Sequence, residues 1–187
     1  MSSMTRAGGW LELKLKYDLG SDYVAPSCVL RGSLFSSETF RGVKRPQEAQ
    51  GEVAVSNGKL SITRMRGLQL DQYDLEVLCV VIKLSAKLNA EHDQVKLTIK
   101  RETMLHELNW THGGAQCKRL ERSFEKLSNQ KWLLHIDDEY SDINEEIELV
   151  KAEQCGTAYN VTLNTVVAGR KLTIYRGEFR LKFDQGV

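Results

Sequence analysis

Between Val95 and Ile136 the apolar residues change period twice, and the changes define a succession of elements. Val95-Lys-Leu-Thr-Ile99 alternates apolar and polar residues, the period of a strand with one wet face. Met104, Leu105 and Leu108 then fall at helical spacing, which predicts a helix over 101–110. A polar break, Thr111-His-Gly-Gly114, separates it from a second helical stripe of Cys117, Leu120, Phe124 and Leu127, predicting a helix over 115–129. Trp132-Leu-Leu-His-Ile136 restores an apolar strand.

The same reasoning extends along the chain. Trp10 to Tyr17 alternates like a strand after a frayed lead-in of residues 1–9. Val29, Leu30, Leu34 and Phe35 suggest one or two helical turns, and Phe40 to Gln50 is a polar, basic loop. Glu52–Ser56 and Lys59–Arg64 flank Asn57-Gly58; both turn residues tolerate positive φ, so the segment predicts a hairpin. Asp71 is a candidate N-cap, and Leu75, Leu78, Val81, Ile82, Leu84 and Leu88 form a wide apolar stripe on a helix over 71–88, with Lys87 at its end. Glu148–Lys151 and Tyr159–Asn164 suggest further strands, and Lys171–Tyr175 with Phe179–Phe183 suggests a last pair. No linker divides residues 10–187, so one domain is expected. The predicted class is α+β. Strand, helix, turn, helix, strand is the order of a winged helix-turn-helix, here with an additional N-terminal β-hairpin and C-terminal strands.

Charge sharpens this picture. The formal net charge is only +1, but it is the sum of opposed patches. From His92 to His135 there are eight Lys or Arg against five Asp or Glu. From Asp137 to Glu153 there are eight carboxylates and one cation, Lys151. The basic sign returns after Gly169. Cys28, Cys79, Cys117 and Cys155 contain no C-x-x-C pair, which argues for reduced thiols in a cytoplasmic protein. The longest apolar run, Val77 to Ile82, is too short to span a bilayer, so no membrane partner is expected.

The candidate chemistry is binding. Lys118, Arg119, Arg122 and Lys126 are spaced to project away from the apolar stripe of the second helix. There they would neutralise phosphates, with Gln116 as a candidate base reader and Lys100 and Arg101 adding backbone contacts. Glu121 and Glu125 among them also fit an ordinary solvated face. The acidic segment 137–153 stands where a DNA-gripping wing would be, and phosphate would repel it; it suits a solvated loop or a protein partner better. His92, His106, His112 and His135 lack metal-site spacing, and Gly113-Gly114 lacks the Lys-Ser/Thr of a phosphate loop. No catalytic triad stands out. An enzyme is not expected, nor a metal or cofactor.

Several segments together resemble the TrfA-type plasmid replication initiators. They are Val29-Leu-Arg-Gly-Ser-Leu-Phe35, Gly67-Leu-Gln-Leu-Asp-Gln-Tyr-Asp-Leu-Glu-Val77, Leu120-Glu-Arg-Ser-Phe-Glu-Lys-Leu127 and Tyr159-Asn-Val-Thr-Leu-Asn164, within roughly residues 26–165. The Leu70–Val77 run is the most specific piece. The resemblance implies the first of two tandem winged-helix domains, contacting the DNA backbone and dimerising, while the second domain reads the plasmid origin. The residues after Asn164 are too few for that second domain, so the chain is expected to be a fragment of a longer initiator or a stand-alone relative. The expectation is therefore a protein that binds double-stranded DNA and forms a homodimer. Its rival is a protein-interaction module, a regulator or inhibitor from a mobile element, engaging a partner through segment 137–153.

Overall fold

The computed structural model describes residues 23–26, 34–36, 48, 51–56, 60–85, 88, 94–138, 141–164 and 172–175. It is a mixed α+β structure. Eleven strands and three helices are described: β1 Tyr23–Pro26, β2 Phe35–Ser36, β3 Glu52–Ser56, β4 Leu60–Arg66, β5 Leu70–Asp71, α1 Gln72–Ser85, β6 Gln94–Lys100, α2 Arg101–Glu107, α3 Gly114–Ser128, β7 Lys131–Asp138, β8 Ser141–Ile147, β9 Val150–Cys155, β10 Ala158–Asn164 and β11 Leu172–Tyr175.

Helix α1 is the centre of the molecule. Leu75, Val77, Leu78, Cys79, Val80, Val81 and Ile82 are all buried, so the helix is apolar around most of its circumference. That is the composition of a helix surrounded by protein, wider than the one-sided stripe the sequence suggests. It meets β1, β2, β5, β6, β10, α2 and α3. The helix ends at Ser85, and Leu88, expected on the core stripe, is 40% exposed. Lys87 lies outside the described residues.

Its start is fixed by a reciprocal cap. The Asp71 carboxylate accepts from the backbone N–H of Tyr73 at 2.9 Å and of Asp74 at 3.3 Å. The Asp74 carboxylate in turn accepts from the Asp71 N–H at 2.8 Å. Two otherwise orphaned donors of the first turn are thus satisfied, an arrangement worth about 1 kcal/mol.

Two antiparallel sheets flank this helix assembly. In the first, the order is β6-β10-β9, with Ile99 opposite Tyr159 and Val161 opposite Ala152. Its β9–β10 turn is Gly156-Thr157, where Gly156 takes φ +61°, as the twist of a two-residue hairpin demands. In the second, the order is β3-β4-β7-β8, and Ile62, Trp132, Leu134 and Ile147 are buried. The expected hairpin is its β3–β4 pair, although Asn57-Gly58 lie outside the described residues.

Four expectations change here. The strand from Lys131 does not join the sheet next to the helices; it pairs with β4 and β8, because Trp132 and Leu134 bury alongside Ile62 of β4. The acidic segment is no loop, since β8 and β9 run through most of it. The Lys171–Tyr175 strand pairs antiparallel with β1 rather than with Phe179–Phe183, which lies outside the described residues. Phe35, expected in a helical turn, instead begins the short strand Phe35–Ser36, which pairs parallel with β5. The expected strand Trp10–Tyr17 and most of the segments 26–35 and 40–50 are outside the description.

Candidate functional site

Helices α2 and α3 meet the first sheet through a tight connection. Helix α2 stops three residues earlier than its pattern suggests because Asn109 adopts a left-handed φ of +52°. The N–H of Asn109 then bonds the His106 carbonyl at 2.9 Å, and that of Trp110 bonds the Leu105 carbonyl at 2.8 Å. This double closure satisfies the last carbonyls and turns the chain sharply. Asparagine is the side chain besides glycine that best accepts such a φ, so Asn109 is the signal in the sequence for this end. The start of α2 is held by the Arg101 N–H, which donates to the Thr157 carbonyl at 2.8 Å.

Helix α3 begins at Gly114 after Gly113, with no side-chain cap. Leu120, Ser123, Phe124 and Leu127 are buried, and the Phe124 ring lies 4.5 Å from that of Tyr159 in β10. At its far end Ser128 Oγ accepts from the Ala152 N–H of β9 at 2.9 Å. The opposite stripe, Ala115, Lys118, Arg122, Glu125 and Asn129, is exposed. These residues recur every three or four positions, as one face of an α-helix requires.

The basic side chains proposed from the sequence divide into two groups. Lys118 and Arg122 stand on the exposed stripe, with no ion-pair partner among the described residues. Lys100 is exposed at the end of β6. The others are engaged. Arg101 pairs with Glu121 at 3.2 Å, tying α2 to α3. Arg119 lies over the ring of Tyr73 at 4.1 Å and near that of Trp110 at 5.9 Å, so it is held against α1 by cation–π attraction. Gln116 is half-buried, and its Oε1 has no hydrogen-bond partner among the described residues.

Lys126 departs furthest from expectation. Its side chain is only 14% exposed and its ammonium bonds both cap carboxylates, 3.3 Å from Asp71 and in direct contact with Asp74. Helical spacing points it away from the core of α3 itself, but the N-terminus of α1 packs there. Burial, and then the neighbouring Asp71 charge, push the Asp74 carboxyl up to about 6 against the opposing pull of Lys126. The pattern Asp71-x-x-Asp74 ahead of an apolar run is the sequence signal for a reciprocal cap. Nothing local announces its cation.

An open cleft of about 1030 Å³ lies along this face. One wall is α3, from Ala115 to Asn129; the other comprises Arg66, Gly67 and Leu68, with Glu48 beside them and Asp71, Tyr73 and Asp74 from the start of α1. The second wall is locked to the first by Gln130. Its Nε2 donates to the Leu68 carbonyl at 2.7 Å and to the Lys126 carbonyl at 3.2 Å, while its Oε1 accepts from Trp132 Nε1 at 3.3 Å. Arg66, Tyr73 and Gln130 carry no local sequence signal for the site, because each reaches it through contacts distant along the chain. Elsewhere among the described residues, no three His, Cys, Asp or Glu side chains gather as a metal site would require. Cys79, Cys117 and Cys155 are free thiols, Cys79 with its pKa raised by burial. No described helix is long and apolar enough to cross a membrane.

No protein-family model matches this chain, and no curated protein matches it. Among solved structures it is similar to two crystal structures of domains 2 and 3 of RctB. The first, a selenomethionine derivative, has a TM-score of 0.45 at 12% identity over 86% of this chain and 63% of that one. The second has a TM-score of 0.44 at 12% identity over 85% and 59%. The chain therefore spans about three fifths of the length of either structure.

Proposed function

We propose that this chain is a winged-helix module of the plasmid-initiator kind that binds double-stranded DNA through the outer face of α3. The observation that carries the reading is the exposed stripe of that helix, on which Lys118 and Arg122 stand without ion-pair partners among the described residues. Two such cations, one helical turn apart, suit successive phosphates or a phosphate and a groove edge. The order of elements supports the same reading. Helix α1, strand β6, helices α2 and α3, then the β9–β10 hairpin packed as β6-β10-β9 is the succession a winged helix uses, with the β7–β8 hairpin inserted after α3.

In this reading the wing is the β9–β10 turn, not the acidic segment. Gly156-Thr157 carries no cation; Lys151, at the far end of the hairpin, is paired with Glu153 at 3.6 Å, and the cation beside the turn is the exposed Lys100, opposite Ala158. Contact would therefore fall mainly to the helix, and affinity would be modest, with a shallow salt slope set by the few phosphates neutralised.

The test is binding of duplex DNA measured by fluorescence anisotropy over a salt series. The logarithm of the binding constant is expected to fall linearly with the logarithm of salt concentration, with a slope near −0.9 for each phosphate neutralised. An absence of binding at the lowest salt would overturn the proposal.

A further inference from the structure

The cleft wall opposite α3 carries a cation that helix-based reasoning does not reach. Along β4, Ile62 and Arg64 are both buried, 1% and 6% exposed. Strict alternation would send Arg66 to that same inner face. It does not go there, because the β4–β7 register shifts: Arg64 faces Trp132 and Arg66 faces Lys131, leaving Met65 as an extra residue. Such a bulge re-aims the side chain that follows it. Met65 is exposed, and Arg66 is exposed and lines the cleft shared with Lys118 and Arg122.

We propose that Arg66 is a DNA-phosphate ligand, and that the cleft seats a phosphodiester backbone between the second sheet and α3. The proposal rests on the DNA-binding reading and extends it from a helix face to a two-walled site. An arginine suits the position because its planar guanidinium can donate two parallel hydrogen bonds to one phosphate. Lys126 offsets one of the two cap carboxylates, and Glu48 and Glu125 also line the cleft, so a bound phosphate must be held at the end where Arg66, Lys118 and Arg122 outnumber them. Because one wall is α3 and the other belongs to the second sheet, the backbone is held only when the two are correctly docked.

The experiment compares salt slopes of duplex-DNA binding for wild type, Arg66→Ala, Arg66→Lys and Lys131→Ala. Lys131 is the cross-strand neighbour of Arg66; it pairs with Glu146 at 3.6 Å and lies outside the cleft lining, so it controls for net charge alone. The slope is expected to become shallower by about 1 in Arg66→Ala, to be largely restored in Arg66→Lys, and to stay at the wild-type value in Lys131→Ala. Thermal midpoints of all four proteins separate loss of contact from loss of fold. If Arg66→Ala misfolds, Arg66→Gln takes its place. A wild-type slope in Arg66→Ala, or an equal change in Lys131→Ala, overturns the assignment while leaving the DNA reading intact. No binding by wild type removes both. Polyglutamate competing as well as DNA of equal charge would assign the cleft to an acidic polypeptide and overturn the phosphodiester.

Discussion

At the scale of single residues, two lysines eight positions apart on one helix have opposite roles. Lys118 is exposed, whereas Lys126 is largely buried against Asp71 and Asp74. Removing one member of a buried ion pair strands the rest, so Lys126→Ala is expected to lower stability by about 3 kcal/mol, measured as a shift in urea midpoint. Lys118→Ala should leave the midpoint unchanged. Asp74 gives a pH signature. Its folded pKa of about 6 lies above the ordinary value of an aspartate, so the folded state binds the proton more tightly. The resulting contribution is fully present below the unfolded pKa and is lost as pH rises through about 6. Relative to Asp74→Asn, wild type is therefore expected to gain stability as pH is lowered from 7 towards 4, and parallel melting curves over that range would refute it. Gly67 is constrained by its backbone. It takes φ +115°, and a Cβ there would lie 2.5 Å from Gln130 Nε2. Gly67→Ala should destabilise by roughly 1–3 kcal/mol in denaturant titration, from backbone strain and displacement of the Gln130 bridge.

Elements were far more legible in the sequence than their partners. The periods of 95–99 and 115–129 mark β6 and α3 to within one residue, that of 101–110 marks α2 with its end three residues too late, and Asn57-Gly58 marks the β3–β4 pairing. What local pattern cannot carry is pairing across long separations. The strand from Lys131 was legible as a strand, yet its choice of β4 over β6 depends on packing with Ile62, some seventy residues away. The acidic segment misled for the same reason: charge suggests solvent, but an exposed strand can be as acidic as a loop. The candidate site shows the same division. The basic stripe of α3 was visible, while the engagement of Arg119 by Tyr73 and of Lys126 by the cap depends on what packs against the helix. The seating of α3 is set by its apolar side. Leu120 is fully buried, so Leu120→Ala should cost about 2–5 kcal/mol, read from the unfolding midpoint.

At the scale of the whole molecule, a buried helix carries two sheets and a helix pair, and the cleft forms where they meet. Near-neutral net charge is then no obstacle to binding an anion. The acidic residues of β8 and β9 belong to other strands, while Lys118 and Arg122 are exposed on α3 and line the same cleft as Arg66. The proposed mode is backbone contact through a few exposed cations, aligned by a rigid core. The most direct measurement is the salt dependence of duplex-DNA binding for wild type and for Lys118→Ala/Arg122→Ala, two exposed positions whose loss should leave the fold intact. The double variant is expected to bind more weakly, with a slope shallower by about 2. An unchanged slope in a folded double variant would contradict the assignment of α3 as the DNA-contacting face.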